Sequence, residues 1–372
     1  MTSEIEKYLV RNWDVLGLKR NRPSRFSFLG ERGSLEGNKF IFFAFADNDK
    51  RPILVVKLPR CPSDLKLLEN ERDSLLQLRA STSMAIRESL PQVLLLDQVS
   101  SQWVLIQSFV DGEVMTPVLD HNGLPKRRNL RKHLEITTPW LSQFKNETSS
   151  RIIWDSDSID EHVTRPIDEF RRNSNLSKDA VGYLNSLRHV TDELRGCSVL
   201  LFFQHGDFQP GNVLLDKNRI TVVDWDVSRK MALALFDEFS FITNYCCSSA
   251  ERAGRMNYLQ AFQILWFSKN WLSRFCKDWL QCYCRTLNLD TKYVKFYFAM
   301  FLISHANQEY ADLLTELNRG DYMPLRENSA GKRTHYRRLM KEQLYVRLFE
   351  LLAEGRNLPI ESLELAEDKQ QQ

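Results

Sequence analysis

His205-Gly-Asp-Phe-Gln-Pro-Gly-Asn212, followed by Val213-Leu-Leu-Asp-Lys-Asn-Arg-Ile-Thr-Val-Val223 and then Asp224-Trp-Asp226, is the stretch whose geometry can be derived on paper. Val213 to Leu215 and Ile220 to Val223 are short apolar runs rich in β-branched residues, and Asp216, Lys217, Asn218 and Arg219 between them supply turn chemistry. The segment therefore reads as a β-hairpin. With Asp216 opposite Ile220, the register continues as Leu215 with Thr221, Leu214 with Val222 and Val213 with Val223. Asn212 then falls opposite Asp224, and directly opposed Cβ atoms lie about 4.5 to 5.5 Å apart. An amide oxygen and a carboxylate converge at the open end of the hairpin, hard ligands of the kind that magnesium carrying nucleotide phosphates accepts. Asp207 sits on the preceding loop, within reach of the same point.

These residue types point to phosphoryl transfer. That reaction asks little covalent help of a protein; it needs metal positioning, charge neutralisation and a carboxylate that orients the attacking hydroxyl. Asp207 is the candidate for that carboxylate. Asn212 and Asp224 are the candidate metal ligands, with Asp226 a second acidic contributor. His205 is expected to brace the loop through hydrogen bonds rather than to titrate. The bland alternative is a surface hairpin whose Asp and Asn residues cap turns.

His205-Gly-Asp207, Asn212 five residues beyond the Asp, and Val-Val-Asp224-Trp-Asp226 after the hairpin resemble the aminoglycoside phosphotransferase and choline kinase-like group, relatives of the protein kinases. The resemblance implies an α+β, bilobal protein kinase-like fold: a small antiparallel β-sheet lobe with one helix over residues 1–110, and a larger, mostly helical lobe over 111–372. It also implies Asp207 as catalytic base and Asn212 and Asp224 as magnesium ligands, with ATP or GTP as phosphoryl donor. Protein kinases look less similar, because their catalytic loop carries His-Arg-Asp with a Lys two residues after the Asp, where this chain has Gly206 and Gln209. A small-molecule hydroxyl acceptor, such as an aminoglycoside, amino alcohol or sugar, is the expectation. A nucleotide-binding module of the same fold that has lost transfer is the alternative.

Such a fold requires a strand-rich region ahead of the catalytic loop. Lys39 to Ala46, Ile53 to Leu58, Gln92 to Leu96 and Trp103 to Phe109 read as four strands, with Asn48-Asp49 as a turn between the first two. Lys57 interrupts the apolar run Ile-Leu-Val-Val-Lys-Leu-Pro. Asp64 to Ala80 reads as a helix with Leu67, Leu68, Leu75 and Leu78 on one face, and Glu71 shares that face. A carboxylate inside an apolar stripe is costly unless paired, so a Lys57 to Glu71 pair contacting the donor's α- and β-phosphates accounts for both anomalies. Glu69 is the rival partner.

Upstream, Gly30-Glu-Arg-Gly33-Ser34-Leu-Glu-Gly37-Asn38 precedes the Lys39 strand, and its three glycines permit close backbone approach to phosphate oxygens. Gly33 and Ser34 are therefore candidate nucleotide contacts, although the GxGxxG spacing is missing. Leu105-Ile-Gln-Ser-Phe-Val-Asp111-Gly112 ends the strand-rich region. By analogy with the related kinases, backbone groups of Gln107 to Val110, Phe109 included, would bond the adenine edge.

After residue 112 the texture turns helical, with Asn129 to Lys145, Asp160 to Arg172, Leu176 to Leu194 and long aromatic-rich stretches over 230–316. Asp237 is expected to cap a helix and brace a loop. Trp266, Trp271, Trp279, Tyr283, Tyr293, Phe296, Tyr297 and Phe301 read mostly as core. The acidic run Trp154 to Glu161 reads as a solvated helix start.

With 51 basic and 48 acidic residues and a net charge of +3, no global field steers the protein to nucleic acid. Basic clusters at Lys126 to Lys132 and Lys332 to Arg338 read as solvated loops, and Arg319 to Arg333 as a loop. The seven cysteines show no metal-ligand spacing, which suits a reduced cytoplasmic protein. Met1 to Val10 lacks the layout of a secretory signal. Phe296 to Ser304, the most apolar stretch, falls far short of the roughly 18 residues of a membrane span. Oligomeric state is not legible.

Overall fold

Alternation along Leu54–Pro59 sets the architecture of the first half of the chain. Leu54, Val56 and Leu58 point to one face of the strand and are buried in an apolar cluster; Val55 and Lys57, between them, must point to the other. The computed structural model describes residues 2–18, 22–30, 39–217, 219–318 and 344–354. Gly33, Ser34, the 319–333 loop and the second basic cluster lie outside these. The chain divides into two compact units, each discontinuous in sequence.

The first unit combines the described residues up to Thr116 with Lys132–Thr148 and Phe203–Lys230. Its sheet contains β1 (Phe26–Gly30), β2 (Lys39–Ala46), β3 (Leu54–Pro59), β4 (Val93–Val99) and β5 (Gln102–Ser108). All pairings are antiparallel and the spatial order is β1-β2-β3-β5-β4. The expected strands are present to within a residue or two at most ends, with β4 running on to Val99. One face packs on α1 (Thr2–Arg11), which buries Ile5 and Leu9, with Trp13 and Leu16 just beyond it, against Ala44, Ala46, Leu54, Val56, Val104 and Ile106. α1 is additional to the single helix expected in this region. So is the short α3 (Met84–Glu88).

The opposite sheet face carries Lys57. α2 (Leu65–Ser81) buries Leu68, Glu71, Ser74, Leu75 and Leu78, a stripe at helical spacing in which Glu71 occupies an apolar position.

The hairpin that follows Asn212 is present, with its register one residue from that expected. Val213–Asp216 pairs with Arg219–Val222 as Asp216↔Arg219, Leu215↔Ile220, Leu214↔Thr221 and Val213↔Val222. The cause is the turn. Lys217 adopts φ 55, as a two-residue primed turn requires; such turns match strand twist better than the three-residue loop that an Asp216 to Ile220 pairing implies. Val223, not Asp224, therefore lies opposite Asn212, and its N–H donates to Asn212 O at 3.0 Å. Asp224 follows with φ 72 and ends the ladder.

The second unit, Pro117–Arg131, Ser149–Phe202 and the described residues from Met231 onward, is mainly helical. Its helices include Arg165–Asn173, Lys178–Leu194, Phe236–Thr243, Tyr258–Phe267, Trp271–Thr286, Val294–Asn318 and Leu344–Ala353. Ser150–Ile153 pairs antiparallel with the strand Ser198–Gln204. Phe239, Phe262, Trp266, Phe298 and Phe301 interlock in the core, with ring centroids 4.9 Å apart for Phe239 and Phe298. Tyr283, Phe296 and Tyr297 are buried as well, while Trp271, Trp279 and Tyr293 are half-buried. Asp237 does not cap its helix. Leu235 holds the cap position with φ 70, and Asp237 is buried in the first turn. Asp155 does cap, accepting from Ser158 N at 2.8 Å. Among the described residues, no helix is long and apolar enough to cross a membrane.

Candidate active site

The functional side chains of the first unit hang on a loop fixed by its own backbone. Gly206 has φ 85, and a Cβ there would lie 2.3 Å from Val227 O, so both conformation and space exclude a side chain. His205 Nε2 lies 2.9 Å from Val223 O, and its Nδ1 accepts from Asp207 N–H at 3.2 Å. With Nε2 facing a carbonyl and Nδ1 facing an N–H, both ring nitrogens are held, and His205 serves as a brace. Its ring lies 4.5 Å from that of Trp225. Trp225 is buried and donates to Val222 O at 2.9 Å, and Phe208 stacks on Trp140 at 5.7 Å. Aromatic packing below the loop thus aims Asp207 above it.

Asp207 accepts two hydrogen bonds from Gln209 Nε2, at 3.0 and 2.8 Å, and one from Asn212 Nδ2 at 2.9 Å. Asn212 Nδ2 also donates to Asp207 O at 2.9 Å. The Asn212 amide nitrogen is thereby committed to Asp207. Burial pushes the Asp207 carboxyl above its ordinary value, outweighing the amide donors, and the negative charge of Asp224 adds to the rise. A raised, desolvated carboxylate is a stronger proton acceptor than an exposed one.

Lys57 Nζ meets Glu71 Oε1 at 2.6 Å and Asp224 Oδ1 at 3.0 Å. Glu71, not Glu69, is the carboxylate it meets. Both members of the pair are almost wholly buried, with side-chain exposures of 5% and 0%. Lys39, which sequence reasoning overlooked, contacts Asp224 Oδ1 and lies 2.7 Å from Asp226 Oδ2. Burial alone would raise the Asp224 carboxyl, but the Lys57 and Lys39 ammonium groups hold it well below the usual carboxylate range. Burial, with Asp224 beside it, pushes Asp226 up to about 6. Parity was the available signal for Lys39: it stands two residues before Ile41, which pairs with Lys57, and so shares the face of Lys57.

A polar latch, also unanticipated, ties α2 to the chain after Asp224. Asn70 Nδ2 donates to Asp226 O at 2.8 Å and to Ser228 O at 3.1 Å, and Ser228 Oγ lies 2.7 Å from Ser74 Oγ.

Two backbone amides of the expected hinge are engaged within the sheet. Phe109 N–H donates to Ile53 O at 3.0 Å and Ser108 N–H to Gln92 O at 2.8 Å, so these two amides serve the sheet and not a nucleobase. The reason is that β5 stays paired on both sides to its last residue. Gln107 pairs with Val55 and Val93, which puts it on the face of Lys57. It is buried, and its Nε2 has no hydrogen-bond partner among the described residues. An orphaned buried donor on that face suits a ligand that supplies an acceptor. Gly33 and Ser34 lie outside the described residues, and Val110 follows Phe109 directly.

The donor set fits a divalent cation. Asp224 and Asp226 converge on one cationic nitrogen, Lys39 Nζ, and Asn212 is fixed at its amide nitrogen by Asp207. Among the described residues, no group of three or more His, Cys, Asp or Glu side chains is placed around a single point. Two carboxylates and an amide form the sparse oxygen set that magnesium accepts when phosphates and waters complete its shell.

Residues 42–272, more than half of the chain, match the phosphotransferase enzyme family, APH. The chain belongs to this family. Among solved structures it is similar to choline kinase from Cryptosporidium parvum Iowa II, at 16% identity over 96% of this chain and 100% of that one, with TM-score 0.51. It is also similar to a thermostable mutant of aminoglycoside phosphotransferase APH(4)-Ia in its apo form, at 16% identity over 84% and 93%, with TM-score 0.49. No curated protein sequence matches it. The chain is thus an enzyme of the phosphotransferase class, with the mixed α+β fold of the kinase-like proteins.

Proposed function

We propose that the protein transfers the γ-phosphoryl group of ATP, or GTP, to a hydroxyl of a small molecule of aminoglycoside, amino-alcohol or sugar type, in a magnesium-dependent reaction. The observation that carries this reading is the convergence on Asp224 of the buried Lys57–Glu71 pair, in the same unit as the braced Asp207 loop. Lys57, fixed by Glu71, is poised to neutralise the α- and β-phosphates. Gln107 and Val110 would contact the nucleobase, and Gly33 and Ser34 the phosphates. Asp224, Asp226 and Asn212 would hold magnesium, which when bound neutralises charge on the β- and γ-phosphates.

Asp207 orients the acceptor hydroxyl and takes its proton. The acceptor oxygen forms a bond to the γ-phosphorus as the bond from that phosphorus to the bridging oxygen breaks, leaving the nucleoside diphosphate. Gln209 and Asn212 hold Asp207 in place through this exchange. Gly206 and Gln209, at positions where protein kinases carry Arg and Lys, support a small acceptor over a protein. All seven cysteines are free, in keeping with the cytoplasmic setting of this reading.

Thermal unfolding with and without magnesium-ATP, followed by a screen of hydroxylated acceptors for phosphate transfer, tests the proposal. Saturation at about 100 times the dissociation constant adds about 2.7 kcal/mol. No stabilisation and no transfer to any acceptor would defeat it.

A further inference from the structure

Five charges of the first unit crowd one point. Lys57 has a counter-charge of its own in Glu71, at 2.6 Å. Lys39 has none: among the described residues its ion pairs are with Asp224 and Asp226 alone, the carboxylates assigned above to magnesium. Its side chain is 12% exposed. It opens β2 opposite Pro59, two residues from the partner of Lys57. A divalent cation and Lys39 therefore need the same two carboxylates.

We propose that Lys39 is an internal counter-ion that a divalent cation must displace from Asp224 and Asp226, and that the displaced ammonium becomes a third cationic contact for the donor's phosphates. The inference rests on the phosphotransferase reading and deepens it. An ammonium so little exposed cannot be left without an anion, because an uncompensated buried charge is strongly disfavoured. Metal binding without nucleotide strands Lys39 and is opposed. When nucleotide arrives, its phosphates supply the replacement anion, so the two ligands favour each other through this side chain, and the coupling acts equally in both directions. Lys39 thereby suppresses metal binding in the absence of donor.

Calorimetric titration of manganese(II) chloride into the full-length, nucleotide-free protein, and again with ADP present, tests the exchange. Lys39→Met, which keeps the length and removes the charge, should tighten metal binding without nucleotide by about 5- to 150-fold, the usual range of coupling between sites. The enhancement of metal affinity by ADP should shrink in the same variant. Lys39→Gln, able to hydrogen-bond both carboxylates, should change in the same direction, and Lys39→Arg should behave as wild type. Equal metal affinity in wild type, Lys39→Met and Lys39→Gln, with ADP binding intact, would overturn the exchange while leaving the phosphotransferase reading in place. Equal tightening in Lys39→Arg would also overturn it, since shape and not charge would then be the cause. Failure of the wild-type protein to bind ADP with any divalent cation would overturn both.

Discussion

His205 Nε2 donates to Val223 O across 2.9 Å, joining the loop that carries Asp207 to the strand that delivers Asp224. This bond and the one from Val223 N–H to Asn212 O hold together the elements that bear the two acids, and the backbone at Gly206 lets the loop come this close.

Gly206→Ala should disturb that placement. The positive φ costs an L-residue about 1 to 3 kcal/mol, and the new Cβ would meet Val227 O at 2.3 Å. Urea denaturation should show a loss of at least that order. A midpoint equal to wild type would mean that the loop can relax without strain.

Asp207→Ala should lower turnover by about 10² to 10⁴, the usual effect of removing a general base. Calorimetric affinity for magnesium-ADP should stay close to wild type, because Asp207 is assigned to the acceptor and not to the donor. Unchanged turnover would take the proton-acceptor role from this residue.

Lys57→Met should act on both stability and binding. It leaves Glu71, whose side chain is 0% exposed, without its cation, and breaking a buried pair costs about 3 to 5 kcal/mol. Chemical denaturation should report the loss, and magnesium-ADP affinity should fall with it. A variant as stable as wild type, with unaltered affinity, would contradict the assigned pair.

Acidification should weaken the second unit through His162. Burial holds this imidazole below its ordinary value, and the ring stacks on Trp154 at 5.9 Å. The unfolded chain binds a proton at His162 from about pH 6.5 downward, before the folded chain does. The stabilisation is thus complete above the unfolded value and declines as pH falls toward the folded one. His162→Phe keeps a ring on Trp154 and removes the titration. Its denaturation midpoint should fall less between pH 7 and pH 5 than that of wild type; an equal fall would exclude His162 as a source of the dependence.

Much of the site was legible because it violates local expectation. A lysine inside Leu54–Pro59 and a carboxylate inside the apolar stripe of α2 are each costly alone, and only their pairing removes both costs. The hairpin was legible from composition, yet its register depended on Lys217 taking a positive φ, which is uncommon outside glycine, asparagine and aspartate. That the Phe109 amide bonds Ile53 O is not legible in sequence, because side-chain identities carry no record of which strand a backbone amide serves. Lys39 escaped notice since a lysine at the start of a strand ordinarily reads as solvated; its burial follows from the fold, through contacts 185 and 187 residues away in sequence. α1 is not legible in sequence because its buried pair, Ile5 and Leu9, is too short a pattern to stand out.

The hydrogen bond that Asn70 donates to Asp226 O and the one that Ser74 accepts from Ser228 fasten helix α2 to the chain just beyond the acidic pair. Glu71 lies between those two fasteners on the same helix. Tilting α2 outward would pull the lysine's anchor and both acids out of line together, so the charge constellation stands only while this one helix stays seated.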